Sequence, residues 1–365
     1  MRLLICGDTV PMPESFDAFR TGDVSTLFGD VLPVLESADR VVVNLECALT
    51  EKNCAIPKFG PNLKGPVESA QTLRKAGITD CGLANNHMFD FGLLGMQDTI
   101  NALESVGINW FGAGETDQAS RKPLIINVGE KTCAILAVSE HEYNYALPDQ
   151  PGAAPFVISD TLLDIIRARN QYDYVIVTYH GGKEYCRYPS PRLHKVCRAM
   201  VECGADLVLC QHSHIIGCME RYLDGAIIYG QGNFHFSDEP EGDDWTHGLI
   251  VDLTLGETVR SIEMQLHPVE LKGASLHLLK GEEKEQLLSQ MHQRDQKLIN
   301  GEWREEWHNF CEKLRSYYEN TVYDACCETR ARELFCHYLD CVAHHDVYCE
   351  LFETWHKRKI NECKP

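Results

Sequence analysis

Short apolar runs recur along the chain, and each ends in a turn carrying a side chain able to ligate a metal. Residues 3–6 lead into Gly7-Asp8, 41–43 into Asn44-Leu45-Glu46, and 82–84 into Asn85-Asn86-His87. Residues 174–177 lead towards His180-Gly181-Gly182, and 207–210 towards His212-Ser213-His214. Aliphatic runs of this length, separated by helical stretches, are the pattern of parallel strands buried on both faces. Ligand sites in such sheets lie beyond the carboxyl ends of the strands. If all the runs belong to one sheet, Asp8, Glu46, Asn86, His87, His180, His212 and His214 converge on one rim.

Helical periodicity and terminators fill the intervals. The pattern predicts helices over 27–36, over 67–76 closed by Gly77, and over 92–106 closed by Gly107. A further helix capped by Ser159-Asp160 runs to Asn170, and another spans 191–203 before Gly204. Residues 124–128 and 131–138 read as a hairpin around Gly129-Glu130, as do 217–222 and 226–229 around Asp224-Gly225. The alternating runs 249–255 and 259–269 close the strand-forming region. From about Gly281 helical sequence takes over. Cys327, Ala331, Leu334, Tyr338, Cys341, His345, Tyr348, Phe352 and Trp355 step by four and three, predicting one long helix with a single buried face. The expected organisation is an α/β domain over 1–270 and a helical appendage over 271–365.

Composition narrows the partners. The chain of 365 residues carries a net charge of −20. Residues 1–270 hold 20 Lys and Arg against 37 Asp and Glu, so nearly all of the excess lies in the α/β part. An acidic body disfavours nucleic acid and anionic membrane but leaves room for an anionic small molecule or polymer where a bound metal reverses the local field. Nothing approaches a membrane span or a secretory leader, and many of the 17 cysteines sit inside apolar runs as small hydrophobes, so the expectation is a cytoplasmic protein with reduced thiols.

The histidines at the strand ends suit Zn, Fe, Ni or Mn, while Asp8, Glu46 and the Asn86 carbonyl add hard oxygens that favour Mn or Fe. A carboxylate placed like Glu46 can bridge two ions, and an ion pair of that kind turns water into a nucleophile near neutral pH. His87 is either a ligand or a general acid, and its place beside Asn86 favours the acid. Asp90 either orients His87 or caps the helix near Gly92, and Glu184 is either an acid–base group or an exposed carboxylate. Of the tail residues Cys326, Cys327, Cys336, Cys341 and Cys349, Cys326 and Cys327 are adjacent and Cys336 and Cys341 make a single Cys-x₄-Cys spacing without a second such pair, so core packing is the expected use of Cys327 and Cys341.

These motifs carry a resemblance. Asp8, Asn44-Leu45-Glu46, the 83–87 segment LANNH with Asp90 and Gly92, His180-Gly181-Gly182 with Glu184, His212-Ser213-His214 and Gly232-Asn233-Phe234 are similar to the capsule-synthesis CapA family of poly-γ-glutamate biosynthesis. That family is a branch of the calcineurin-like metallophosphoesterases. The resemblance covers roughly residues 1–270 and implies sheet layers flanked by helices. It also implies one or two divalent ions, Mn, Fe or Zn. Asp8 and His214 would hold one, Asn86, His180 and His212 the other, with Glu46 bridging and His87 protonating the leaving group. Asn44, Gly181 and Asn233 are the candidate substrate contacts, and Asp90 and Glu184 join His87 as candidate catalytic residues. Two positions depart from the superfamily pattern. Val10 stands where a ligating histidine is usual, which leaves the first ion a ligand short, and Glu46 replaces an aspartate.

The implied function is a metal-dependent hydrolase acting on a phosphoester or a γ-glutamyl amide in capsule polymer metabolism. The alternative is a non-catalytic protein of the same fold that binds anionic polymer or a synthase partner. The C-terminal helices are expected to dock on the body or on a second copy through Leu334, Tyr338, Phe352 and Trp355.

Overall fold

The computed structural model describes residues 1–237 and 243–362, with side chains in the last helix as far as Phe352. Two sheets face each other. The first is built on β1 (Arg2–Val10), β2 (Arg40–Leu45), β3 (Asp80–Gly82) and β4 (Asn109–Phe111), all parallel. The second comprises β5 (Leu124–Val128), β6 (Lys131–Ser139), β7 (Tyr174–His180), β8 (Leu207–Gln211), β9 (Met219–Tyr222) and β10 (Gly225–Ile228) in the order β9-β10-β8-β7-β6-β5. The chain then returns to the first sheet. There, on the edge of β1 away from β2, β11 (Asn233–Phe236) pairs in parallel with its end and β12 (His247–Leu255) antiparallel with its start, followed outward by antiparallel β13 (Ile262–Lys272) and β14 (Ser275–Leu278).

The runs, which could have formed one sheet, divide between two, giving the sheet layers flanked by helices that the resemblance implies. The apolar runs do not distinguish the cases, because a strand covered by a second sheet on one face and helices on the other is as continuously hydrophobic as one covered by helices on both. Alternation along β1 makes the division visible. Leu3 and Ile5 join Ile135, Ile176, Leu209 and Ile228 in the core between the sheets. Leu4 and Cys6 face the opposite way, against Phe19, Leu27, Phe28 and Leu73 from the helices of the first layer. On the outer side of the second sheet, Val175, Val177 and Val208 pack with Ile165 and with Val196 and Met200. The result is four layers, helix–sheet–sheet–helix.

Local signals placed most elements. The 92–106 helix is α1 (Gly92–Ser105), and the hairpin around Gly129 forms as expected. The helix expected to be capped by Ser159-Asp160 is α2 (Ile158–Arg169), beginning two residues earlier, with Val157 at its N-cap. The 191–203 helix is α3 (Pro191–Glu202), started by the Ser190 hydroxyl accepting the Leu193 amide at 3.1 Å with proline in the first turn. The helix expected over 27–36 is broken into Val24–Phe28 and Leu32–Glu36, because Gly29 adopts φ 44° and starts a short 3₁₀ turn. Strand structure also runs past residue 270: Gly273, at φ 60°, turns β13 into β14.

From Gly281 the chain is helical: α4 (Gly281–Asn300), α5 (Trp303–Ala325), α6 (Thr329–Asp340) and α7 (Val342–Glu362). The single long helix expected from the 327–355 stripe is two, interrupted where Cys341 takes extended geometry (ψ 118°). The break shifts the phase. Tyr338, Val347, Tyr348 and Leu351 bury with Trp307, Cys311 and Tyr318 around Cys186 of the body, whereas His345 and Phe352 point outward and Cys327 is exposed. The docking contacts expected at Tyr338 and, half-buried, Leu334 are present; Phe352 is 53% exposed, and the Trp355 side chain lies outside the described residues. Asp346 accepts from Arg192 at 3.0 Å, adding an ion pair to the docked face. Cys6, Cys81, Cys133 and Cys210 are core residues as expected. Among the described residues no helix is long and apolar enough to cross a membrane.

One buried histidine ties fold stability to pH. His235 on β11 is enclosed by Phe19 and Phe28, its Nε2 donating to the Ala274 carbonyl at 3.1 Å. Burial lowers its pKa to about 4, although the carbonyl opposes the shift. An unfolded histidine titrates near 6.5, so between about pH 6.5 and 4 the unfolded chain binds a proton that the folded chain refuses. The neutral form costs nothing above that window, and stability falls as the pH drops through it. Acidification from pH 7 to 5 is expected to cost about 2 kcal/mol through this residue. Urea unfolding of His235→Phe at the two pH values is expected to differ by about that much less than in the wild type; equal differences would contradict it.

Candidate metal centre

The strand ends of both sheets meet at one place. Asp8 lies in β1, Asn44 in β2 just before Glu46, and Asn85-Asn86-His87 follow β3, all from the first sheet. His180 ends β7, and His212 and His214 follow β8, from the second. Gly7 permits the closeness of β1 and β11 here, since a Cβ at that position would lie 2.2 Å from the Gly232 carbonyl oxygen. Asp8, Glu46, Asn86, His180, His212 and His214 are all at most 6% exposed.

The ligand atoms of Asp8, Glu46 and His180 lie within 4.8 Å of one another, and so do those of Glu46, His212 and His214. Glu46 belongs to both groups, which is the geometry a bridging carboxylate requires. His180 Nε2 stands 3.2 Å from Glu46 Oε1 and 2.9 Å from Asn86 Oδ1, and His214 Nδ1 stands 3.5 Å from Asp8 Oδ2. His180 is thus placed between the two groups, within 3.9 Å of Asp8 as well.

Three buried atoms carry the strongest chemical hint. Both carboxylate oxygens of Glu46, and Nδ1 of His212, have no hydrogen-bond partner. A fully buried carboxylate without donors is costly unless a cation compensates it. Burial by itself would raise the Glu46 pKa, but the adjacent His180, His214 and His87 hold it down at about 2. Asp8 is pushed up, by burial and by the negative charge of Glu46. Burial works against the charged form of His212, and Glu142 and Glu184 overcome it, raising its pKa to about 10. Two carboxylates and three imidazoles share charge in a space with little water, and the donor set fits a divalent transition ion.

Supporting residues fix this set from behind. The Asn44 amide donates to Asp8 Oδ1 at 2.7 Å and stands 3.1 Å from His180 Nδ1, and its carbonyl accepts from Asn85 at 3.0 Å. Asn233 Oδ1 meets His214 Nδ1 at 3.0 Å while its amide donates to the Trp245 carbonyl. Gly181 is held against Glu140, whose Cγ would lie 2.5 Å from an added Cβ. Asn44, Gly181 and Asn233, expected as substrate contacts, therefore have packing and orienting contacts here. Asp90 receives His87 Nδ1 at 2.7 Å, the Leu63 amide at 2.6 Å and the Lys58 ammonium. It orients His87 rather than capping α1, whose N-cap is Phe91 without a side-chain bond. Glu184 stands at the edge of the adjoining cavity, 3.4 Å from Lys183 Nζ and 39% exposed.

Val10 is 1% exposed and packed in the core of the first layer.

Sequence reasoning missed Glu142 and Lys58. Glu142 accepts from Asn86 Nδ2 at 3.0 Å and stands 3.5 Å from His212 Nε2, an extra carboxylate beside the Asn86, His180 and His212 group. The strand-end rule pointed to it, since it follows the apolar run of β6. Lys58 sits 3.2 Å from His87 Nδ1 on a loop with no periodic signal. Backbone strain concentrates here too. Of the five described non-glycine residues with positive φ, Tyr143, Tyr185, His212 and His214 border this site, the residues most worth holding at a cost of order 1 kcal/mol or more each.

The description "Bacterial capsule synthesis protein PGA_cap" matches residues 2–238, which contain every strand end of the site. The chain belongs to this family. It is 32% identical over 219 residues to the capsule biosynthesis protein CapA of Bacillus anthracis, covering 58% of this chain and 53% of that protein. It is 30% identical to the PGA biosynthesis protein CapA of Bacillus subtilis, covering 58% and 57%. A probable polyglutamine synthesis accessory protein of Mycobacterium tuberculosis is 27% identical, with 56% and 58% covered. The chain thus spans little more than half the length of these curated relatives, and the PGA_cap match stops before β12 and the C-terminal helices.

Proposed function

We propose that this PGA_cap protein is a metal-dependent hydrolase that cleaves a phosphoester or a γ-glutamyl amide in the metabolism of a capsule or poly-γ-glutamate polymer. The observation that carries the reading is Glu46, fully buried, with no hydrogen-bond partner on either carboxylate oxygen, and common to both groups of ligand atoms. Glu46 would be shared between two ions. His180 stands 2.9 Å from Asn86 and His214 3.5 Å from Asp8, which together with the resemblance divides the ligands, differently from the proximity groups, into Asn86, His180 and His212, with Glu142 beside them, for one ion and Asp8 and His214 for the other. When bound, the ions would supply the positive charge that acidifies a water and offsets charge on the reacting group.

The chain's own residues do the rest. Asn44 holds Asp8 and His180 in place, Asn233 holds His214, and Asp90 fixes the ring of His87 by accepting from Nδ1. That leaves Nε2 of His87 to carry the proton to the leaving group. Lys58, paired with Asp90 and 3% exposed, anchors the same unit from the far side.

A second reading has one observation in its favour: Val10 is buried in the core, so the Asp8 and His214 group lacks a ligand, which suits a protein that binds polymer or a synthase without turnover. The two readings separate in a hydrolysis panel of phosphoesters and γ-glutamyl peptides, run on protein with measured metal content in the presence of Mn²⁺. Hydrolysis of at least one class, abolished by chelator and restored by metal, is expected. Full metal loading with no turnover of any class would favour the binding reading.

A further inference from the structure

The C-terminal helices, although beyond the family match, reach the candidate metal centre. A cavity of about 550 Å³ opens beside it, floored by Asn86, His87 and Glu142. Its opposite wall comes from the tail: Leu314, Tyr317 and Tyr318 of α5, His337 and Tyr338 of α6, and His344 of α7. The wall is fastened to the site. Cys341 Sγ donates to Glu142 Oε1 at 3.4 Å, and the His337 ring stacks on Tyr143 at 5.2 Å and 18°. The size is that of a pocket for one compact ligand.

Charge decides what such a ligand carries. The lining holds two cations, Lys58 and Lys183, and both already face carboxylates, Asp90 and Glu184. Glu142 and Glu184 add negative charge, and among the described residues the tail adds no lysine or arginine to the wall. A run of γ-linked glutamates would bring several carboxylates against these acids and rings, and both cations among the described lining residues are already paired, a costly desolvation. Aromatic faces, by contrast, stack on planar uncharged groups.

We propose that the C-terminal helices complete the substrate pocket and select a compact phosphoester whose leaving group is an uncharged aromatic or heteroaromatic ring, with the phosphoryl group at Asn86 and His87 and the ring against Leu314, Tyr317 and Tyr338. The proposal rests on the hydrolase reading above, chooses phosphoester over γ-glutamyl amide, and assigns a specificity role to a region outside the family match. Internal links of a long polyanion are excluded from this pocket.

Non-hydrolysable probes test it on the full chain loaded with Mn²⁺, by calorimetric titration with phenylphosphonate, methylphosphonate and a γ-linked glutamate oligomer. Phenylphosphonate is expected to bind about tenfold more tightly than methylphosphonate, and more tightly than the oligomer. Leu314→Trp, which fills the wall from α5, is expected to remove that preference while methylphosphonate affinity stays unchanged. Tyr317→Ala, at a side chain 53% exposed and so tolerant of replacement, is expected to weaken phenylphosphonate alone. Equal affinity for the two phosphonates, tighter binding of the oligomer, or failure of metal-loaded protein to bind any phosphonate would each overturn the proposal. Metal content measured on the same samples separates this from failure of the hydrolase reading, which would appear as a protein that takes up no metal.

Discussion

Alanine at His180 is expected to strip the protein of its tightly held transition ion. His180 Nε2 stands 3.2 Å from Glu46 Oε1 and 2.9 Å from Asn86 Oδ1, and its Nδ1 lies 3.9 Å from Asp8 Oδ1. Removing it takes an imidazole ligand from the site, so affinity falls with the ligand count. The loss should exceed the roughly 10–100-fold that follows removal of a partner that only orients a ligand. Asn233→Ala supplies that comparison. Asn233 touches His214 and not His180, so this variant is expected to weaken the second, looser ion by roughly 10–100-fold and to spare the first. Metal titration of the two variants checks the pair of results. Equal losses of both ions in both variants would mean that the site does not divide as described.

The second large effect is on turnover. His87→Ala is expected to lower kcat by about 10²–10⁴-fold, the usual contribution of a general acid, with metal content within error of the wild type. His87 is bonded through Nδ1 to Asp90 and flanked by Lys58, and it faces the cavity rather than the interior of the ligand set. Asp90→Asn should lower kcat less, because it disturbs the orientation of the ring and leaves the acid present. Steady-state kinetics on a substrate found in the hydrolysis panel, with metal analysis of the same preparations, reads both. Parallel loss of metal and activity in His87→Ala would make His87 a ligand and overturn its assigned role.

The strand ends were legible because one physical rule placed them: an apolar run buried on both faces must stop where its polar ligand-bearing turn begins. That rule brought Asp8, Glu46, Asn86, His180, His212 and His214 to one site without any knowledge of which strands pair. It did not separate two sheets from one, since Leu3 and Leu4 are equally apolar whether a sheet or a helix covers them. The tail misled for a related reason. A four-and-three step from Cys327 to Trp355 describes a helix face only while the helix continues, and the extended residue at Cys341 resets the phase so that Val347 and Leu351 are buried and His345 is not. Lys58 carried no signal, because a loop lysine looks the same whether it is solvated or clamped on Asp90. The role of the tail beside the metal centre was equally invisible, since contacts between Cys341 and Glu142 join positions 199 apart.

Metal analysis of the protein purified without chelator and exhaustively dialysed tests the central claim most directly. One equivalent of a transition ion is expected to survive dialysis, with a second taken up only when Mn²⁺ or another divalent ion is supplied in excess. Protein that binds no ion under any supplement would contradict the account, because the ligand atoms that Glu46 joins into two groups would then hold nothing.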